Sequence, residues 1–169
     1  MDEKMMQDLA GVKRFEFFPA EGESPDFAAQ VKGSTLVYPT LSAGMGPAMA
    51  VDLFILNENA KKLGYIKCDY ISPLIANDAL SLDGQEDGSL QLPCTLFQSA
   101  DKRFTFFILR SGVVSGKMKE FGLALAEFIV KGGFSRITIL SSTLSPVKRG
   151  RDTNKQIPEV YGYVNNHLY

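Results

Sequence analysis

The chain's single histidine, His167, lies at its far C-terminal end. Ser-His-Asp and Cys-His hydrolysis both need an imidazole held beside the nucleophile, so a lone terminal histidine argues against either. The acidic residues Asp52, Asp69, Asp78 and Asp83 form no ordered pair along the sequence. No acid–base dyad and no catalytic residue is therefore assigned. Cys68 and Cys94 each sit in an apolar, strand-like run without Cys-X-X-Cys or Cys/His spacing. That pattern supplies no metal site and reads as two buried thiols in a reducing compartment. It neither requires nor forbids a disulfide between them.

Gly44 and Gly46 follow a predicted strand and open a predicted helix, where backbone N–H groups can hold a phosphate. The dinucleotide-binding fingerprint fails here. Met49 stands where its third glycine belongs, no Walker lysine follows, and Pro47 lacks one of the N–H donors. A tight turn with close helix–sheet packing is the preferred reading. Ser141 and Ser142 end the last clear strand, and Asn77 lies in a long loop at a similar level. Open α/β sheets bind ligands at the carboxyl ends of their strands, so Gly44, Gly46, Asn77, Ser141 and Ser142 outline a candidate, vestigial crevice. The competing explanation is that such side chains satisfy turn backbone.

The elements that would position these groups belong to one α/β domain spanning residues 1–169. A length of 169 residues, with 45% hydrophobic and 22% charged residues, suits a single globular core. A net charge of −1 leaves no basic nucleic-acid footprint, and the short cluster Lys148, Arg149 and Arg151 reads as a solvated loop. The charged start Met1-Asp2-Glu3-Lys4 is not followed by an apolar run, so no signal peptide is expected. No stretch of about eighteen apolar residues predicts a transmembrane helix. A cytoplasmic protein, present also in the nucleus, is expected, with no membrane, nucleic-acid or cofactor partner.

Residues 1–13 read as a loose leader and Arg14–Phe18 as a short strand that Pro19 stops or confines to an edge. Residues 20–33 read as loop. Ser34–Tyr38 is a β-rich run ended by Pro39. Pro47 suits the first turn of a helix running from about Gly46 to Leu63, with Gly64 as its stop. Between Ala48 and Leu56 the only polar residue is Asp52. A helix apolar all round is covered on two sides: one side by the sheet, the other most simply by a partner protein. Met45, Met49, Phe54 and Ile55 are the expected partner-binding residues.

Tyr65–Tyr70 reads as the next strand, making a βαβ unit with a parallel pair. Residues 72–89 form a long loop. Leu90–Gln98 and Arg103–Arg110 form a hairpin across Ser99–Lys102. Phe104, Phe106 and Ile108 on one face and Thr105, Phe107 and Leu109 on the other predict a central strand covered twice. Ser115 is the expected N-cap of a helix reaching Lys131, ended by Gly132-Gly133, and Arg136–Ser142 is the next strand. Residues 143–158 read as a mobile loop, and Val160–Val164 as a strand or helix start.

Several of these runs, in this order, resemble the proteasome assembly chaperone family. They are Thr35-Leu36-Val37-Tyr38-Pro39, Leu41-Ser42-Ala43-Gly44, Ala50-Val51-Asp52-Leu53, Leu63-Gly64-Tyr65 and Ser72-Pro73-Leu74-Ile75-Ala76-Asn77. A second block is Arg110-Ser111, Phe121, Ile137–Ser142 and the basic loop with Arg151-Asp152. The resemblance implies a three-layer αβα sandwich with a mixed, largely parallel sheet, like that of purine nucleoside phosphorylases but without their activity. It implies pairing with proteasome assembly chaperone 1, and a non-enzymatic role of that heterodimer in assembling the α-ring of the 20S proteasome from its α-subunits. Some chaperones of this class end in a hydrophobic residue, Tyr and one further residue; this sequence ends Leu168-Tyr169, and no such tail is assigned. The alternatives are a nucleoside phosphorylase- or hydrolase-like enzyme using the crevice, and a homo-oligomeric binding module of the same superfamily.

Overall fold

The computed structural model describes residues 11–77 and 90–143. Its strands are β1 (Glu16–Pro19), β2 (Thr35–Pro39), β3 (Lys61–Lys67), β4 (Ala76–Asn77), β5 (Leu90–Gln91), β6 (Cys94–Gln98), β7 (Phe104–Leu109) and β8 (Arg136–Leu140). Its α-helices are α1 (Phe27–Val31), α2 (Gly46–Asn57) and α3 (Met118–Gly132). Six strands form one sheet in the order β1-β3-β6-β7-β2-β8, and β4 pairs with β5 in a separate ribbon.

The expectation of a largely parallel sheet needs correction. β2, β3, β7 and β8 run one way, but only β7–β2 and β2–β8 pair in parallel, while β1–β3, β3–β6 and β6–β7 are antiparallel. The expected parallel pair flanking α2 does not exist as neighbours. β2 and β3 point the same way, yet the β6–β7 hairpin lies between them.

The alternation in β7 places the layers. Phe107 and Leu109 join Leu36, Leu96 and Cys94 in a core covered by Phe27 and Val31 of α1 and Phe121, Ala124 and Phe128 of α3. Phe106 and Ile108 join Phe97 in a smaller core under Val51 and Ile55 of α2. Helices on both faces make an αβα arrangement, as the apolar pattern of β7 requires. Two buried hydroxyls in the first layer pair with each other. Ser34 Oγ donates to the Val31 carbonyl at 2.7 Å, so the Thr105 hydroxyl, 2.8 Å away, donates to Ser34.

Several boundaries differ from the sequence reading. α1 stands where loop was expected: Asp26 accepts from the Ala29 N–H at 3.1 Å as its N-cap, and Phe27 and Val31 are both buried. α2 ends at Asn57, because Asn59 takes a left-handed φ of 46°, which asparagine tolerates. α3 starts at Met118 rather than near Ser115, since Gly116 turns with φ 77° ahead of it. Leu90–Gln98 is two strands broken around Pro93. Of the expected leader, Val12 packs on the core and the Lys13 N–H donates to the Tyr70 hydroxyl at 2.6 Å. Residues 144–169, with the expected basic loop, Val160–Val164 and His167, lie outside the described residues.

Gly64 does not stop a helix. It lies inside β3, at a register shift against β6, with β1 folded onto it. A Cβ there would strike the Phe18 carbonyl oxygen and come within 2.9 Å of the Pro19 Cα, both backbone atoms that cannot swing aside. Gly64→Ala is therefore expected to destabilise the fold by about 1–3 kcal/mol, the usual cost of overpacking, read as a lower denaturant midpoint. A midpoint unchanged from wild type would show that β1 does not sit as described.

Candidate functional site

α2 is built to be held at its first turn and on one flank. The turn from β2 into α2 places Gly44 at φ 73° and Met45 at φ 55°, both left-handed, so only Gly44 adopts its conformation without strain. Pro47 occupies the first turn, where its missing N–H removes no helical bond. Hydroxyls tie this turn to the end of β8. Ser42 Oγ lies 3.0 Å from Ser142 Oγ and accepts from the Ser142 N–H at 2.9 Å, and Ser142 Oγ donates to the Ala43 carbonyl. The Thr40 N–H and hydroxyl both donate to the Leu140 carbonyl, at 2.8 and 3.1 Å.

The flank is held by charge. Arg110, just past β7, clasps Asp52 through two parallel bonds, Nη1 to Oδ2 at 2.8 Å and Nη2 to Oδ1 at 2.7 Å. Both side chains are largely out of solvent. The planar guanidinium matches a carboxylate in this two-point geometry. Arg110 is fastened in turn, its N–H donating to the Pro93 carbonyl at 2.8 Å. With its amide oxygen turned toward Arg110, Gln91 of β5 accepts from Nε at 2.9 Å. The one polar residue between Ala48 and Leu56 is thus the helix's attachment to the carboxyl end of the sheet.

The rest of α2 divides cleanly. Ala48, Val51 and Ile55 face the sheet. Met49 and Leu53, one turn apart, are each 60% exposed, and Met45 extends the same apolar surface. Phe54 lies on the flank opposite Asp52. Its ring is 41% exposed and packs at 5.5 Å on Phe106 and 6.0 Å on Phe104. Of the four residues expected to meet a partner, Met45, Met49 and Phe54 are on the outside. Ile55 is not: at 3% exposure it is part of the core under the helix, because it falls one turn after Val51 on the inner face. Leu53, missed in the sequence reading, is the further residue of α2 that faces outward. The i, i+4 spacing from Met49 was the available signal.

The crevice residues are only partly brought together. Gly44, Gly46 and Ser142 meet where β2 and β8 end, but the close packing expected of the glycines is absent, since a Cβ on Gly44 or Gly46 would touch nothing within 4 Å. The Ser142 hydroxyl is engaged by Ala43 and Ser42, and Ser141 is exposed beside it. Asn77 belongs instead to the β4–β5 ribbon, paired through its backbone with Leu90.

The nucleophile candidates are muted. Burial pushes both thiols above their ordinary range, Cys94 far more than Cys68. Both are free thiols. Burial also raises the Tyr38 hydroxyl to about 12. No group of three or more metal-ligating side chains occurs among the described residues, and none of the described helices is long and apolar enough to cross a membrane.

Two outcomes are expected. Asp52→Asn and Arg110→Met should each cost about 1.5–3 kcal/mol, the worth of hydrogen bonds to charged groups, in equilibrium denaturation. The double variant should cost less than their sum; strict additivity would mean the two residues do not interact. Cys94 should resist a thiol reagent at neutral pH until the protein unfolds, because the thiolate is the reactive form, whereas rapid labelling of both thiols in the native state would contradict their burial.

No family model matches the chain. It is 27% identical over 119 residues to "Proteasome assembly chaperone 2" of Danio rerio, covering 70% of this chain and 46% of that protein. Against the protein of that name from Nematostella vectensis it is 31% identical over 112 residues, covering 65% and 46%. Against that of Homo sapiens it is 28% identical over 129 residues, covering 76% and 47%. The chain spans about half the length of these curated relatives. Among solved structures, it resembles a Thermoplasma acidophilum protein of unknown function, with a TM-score of 0.53 and 14% identity, over 66% of this chain and 43% of that one; this likeness concerns the fold alone. In sequence, the chain is a relative of proteasome assembly chaperone 2.

Proposed function

We propose that the chain acts without catalysis as a proteasome assembly chaperone subunit. In this reading it pairs with proteasome assembly chaperone 1 through the outer face of α2, and the pair assists assembly of the 20S α-ring from its α-subunits, in the cytoplasm and nucleus. The observation that carries the reading is the outer face of α2, where Met45, Met49, Leu53 and Phe54 present apolar surface to solvent. Covering what remains exposed of Met49, Leu53 and Phe54 would contribute roughly 1 kcal/mol for each side chain, a sound centre for an interface. The names of the sequence relatives supply the biological context. The mixed sheet with helices on both faces is compatible with the purine nucleoside phosphorylase-like fold, which we include in the proposal.

Nothing favours the enzyme alternative specifically. The hydroxyls of Ser42 and Ser142 at the end of the sheet are already engaged with each other and with the loop, so ligand binding at Gly44, Gly46, Asn77, Ser141 and Ser142 forms no part of the proposal.

Co-expression with proteasome assembly chaperone 1 tests it. The wild-type chain should co-purify as a one-to-one complex. The double variant Met49→Asp, Leu53→Asp should lose at least about tenfold in affinity, since each carboxylate would be buried unpaired, while its own unfolding midpoint stays near wild type because both positions are exposed in the isolated chain. Undiminished pairing of that variant would overturn the assignment of this face. A stable homo-oligomer of wild type with no recovery of the second chaperone would overturn the heterodimer.

A further inference from the structure

On the face of the sheet opposite α2, a cavity of about 140 Å³ opens between the segment leading into β1, α1 and α3. Its walls are aromatic. Phe27 stacks on Phe128 at 4.5 Å between ring centroids, Phe15 approaches Phe128 at 5.6 Å, and Phe17 approaches Phe27 at 5.5 Å. Ala124 adds only a methyl group to the lining, so the cavity lies beside the packed rings. Its volume is close to the roughly 150 Å³ that accommodates benzene, so it has room for one aromatic ring.

The rim is polar and net positive. It carries Arg14, Glu127 and Lys131. Glu127 and Lys131 are spaced i, i+4 on α3, the separation at which they would ordinarily pair. Glu127 instead bonds Arg14 Nε at 2.9 Å across the mouth. Lys131 has no ion-pair partner among the described residues. Two cations and one carboxylate at the mouth of a cavity with aromatic walls leave one positive charge for a ligand to meet.

We propose that this cavity is a binding site for a small aromatic carboxylic acid, its ring among Phe15, Phe27 and Phe128 and its carboxylate between Arg14 and Lys131. The site is independent of the α2 face, which lies across the sheet, and of the chaperone reading.

The probe is 3-phenylpropionate, with 3-phenylpropanol as its uncharged counterpart, followed by titration and isotope-filtered NOE spectroscopy on the full chain. The acid should bind saturably with an affinity on the order of millimolar and show contacts from its ring protons to the Phe27 and Phe128 rings. The alcohol should bind about fivefold more weakly, the size of a solvent-exposed ion pair, and Arg14→Gln should erase that difference. Ala124→Leu, which fills the space, should abolish binding of both. Absence of saturable binding, equal affinity for acid and alcohol, or binding without contacts to Phe27 and Phe128 would each overturn the site. The wild-type contacts decide the matter on their own should the leucine variant fail to fold.

Discussion

A strand that carries large apolar side chains on both faces must be covered twice, and β7 is such a strand. Phe106 and Ile108 on one side and Phe107 and Leu109 on the other are all buried. Every layer of the molecule answers this demand. The α1–α3 pair covers one face with an aromatic cluster running from Phe15 through Phe107 and Phe128 to Phe27. On the other face Val51 and Ile55 of α2 supply the helical cover in the smaller core. The apolar residues of α2 must therefore serve the sheet before they serve anything else, and those left over face outward.

The same demand explains why the molecule places a charged pair where it does. An apolar helix lying on an apolar sheet has little to define its position, because hydrophobic contact is not directional. The Arg110–Asp52 fork is directional. It joins α2 to the carboxyl end of β7, and the Ser42–Ser142 cluster joins the preceding turn to β8. Between them, the helix is positioned by polar contacts that leave its outer stripe of Met49 and Leu53 unobstructed.

How much of this was legible beforehand depended on whether the signal was local. The double-faced alternation of β7, the apolar character of α2 and the end of α3 at Gly132-Gly133 are patterns within a few residues, and all three were readable. α1 was missed because a five-residue helix is too short to show periodicity. The start of β3 was misread because Lys61 and Lys62 are good helix formers and Gly64 looks like a helix stop, when the close approach of β1 is what it serves. The outward side of α2 was misjudged at one residue of four, Ile55 lying inside and Leu53 outside, because an all-apolar helix offers no polar face from which to orient the wheel. Neither the insertion of β6–β7 between β2 and β3 nor the meeting of Asp52 and Arg110, 58 residues apart, has any local signature.

That insertion bears on how the molecule comes into being on the ribosome. Synthesis proceeds from the N-terminus, so β2 and β3 emerge before the two strands that belong between them. Until Leu109 has left the exit tunnel, β2 lacks β7 on one side and β3 lacks β6, and both present unpaired edges of the kind that recruit other chains. The hairpin joins β3 to β2 when it arrives, and β8 then completes the sheet on the far side of β2, an order of events in which long-range pairing waits on the later part of the chain. During its own synthesis a chain of this topology therefore carries open strand edges until its later strands emerge.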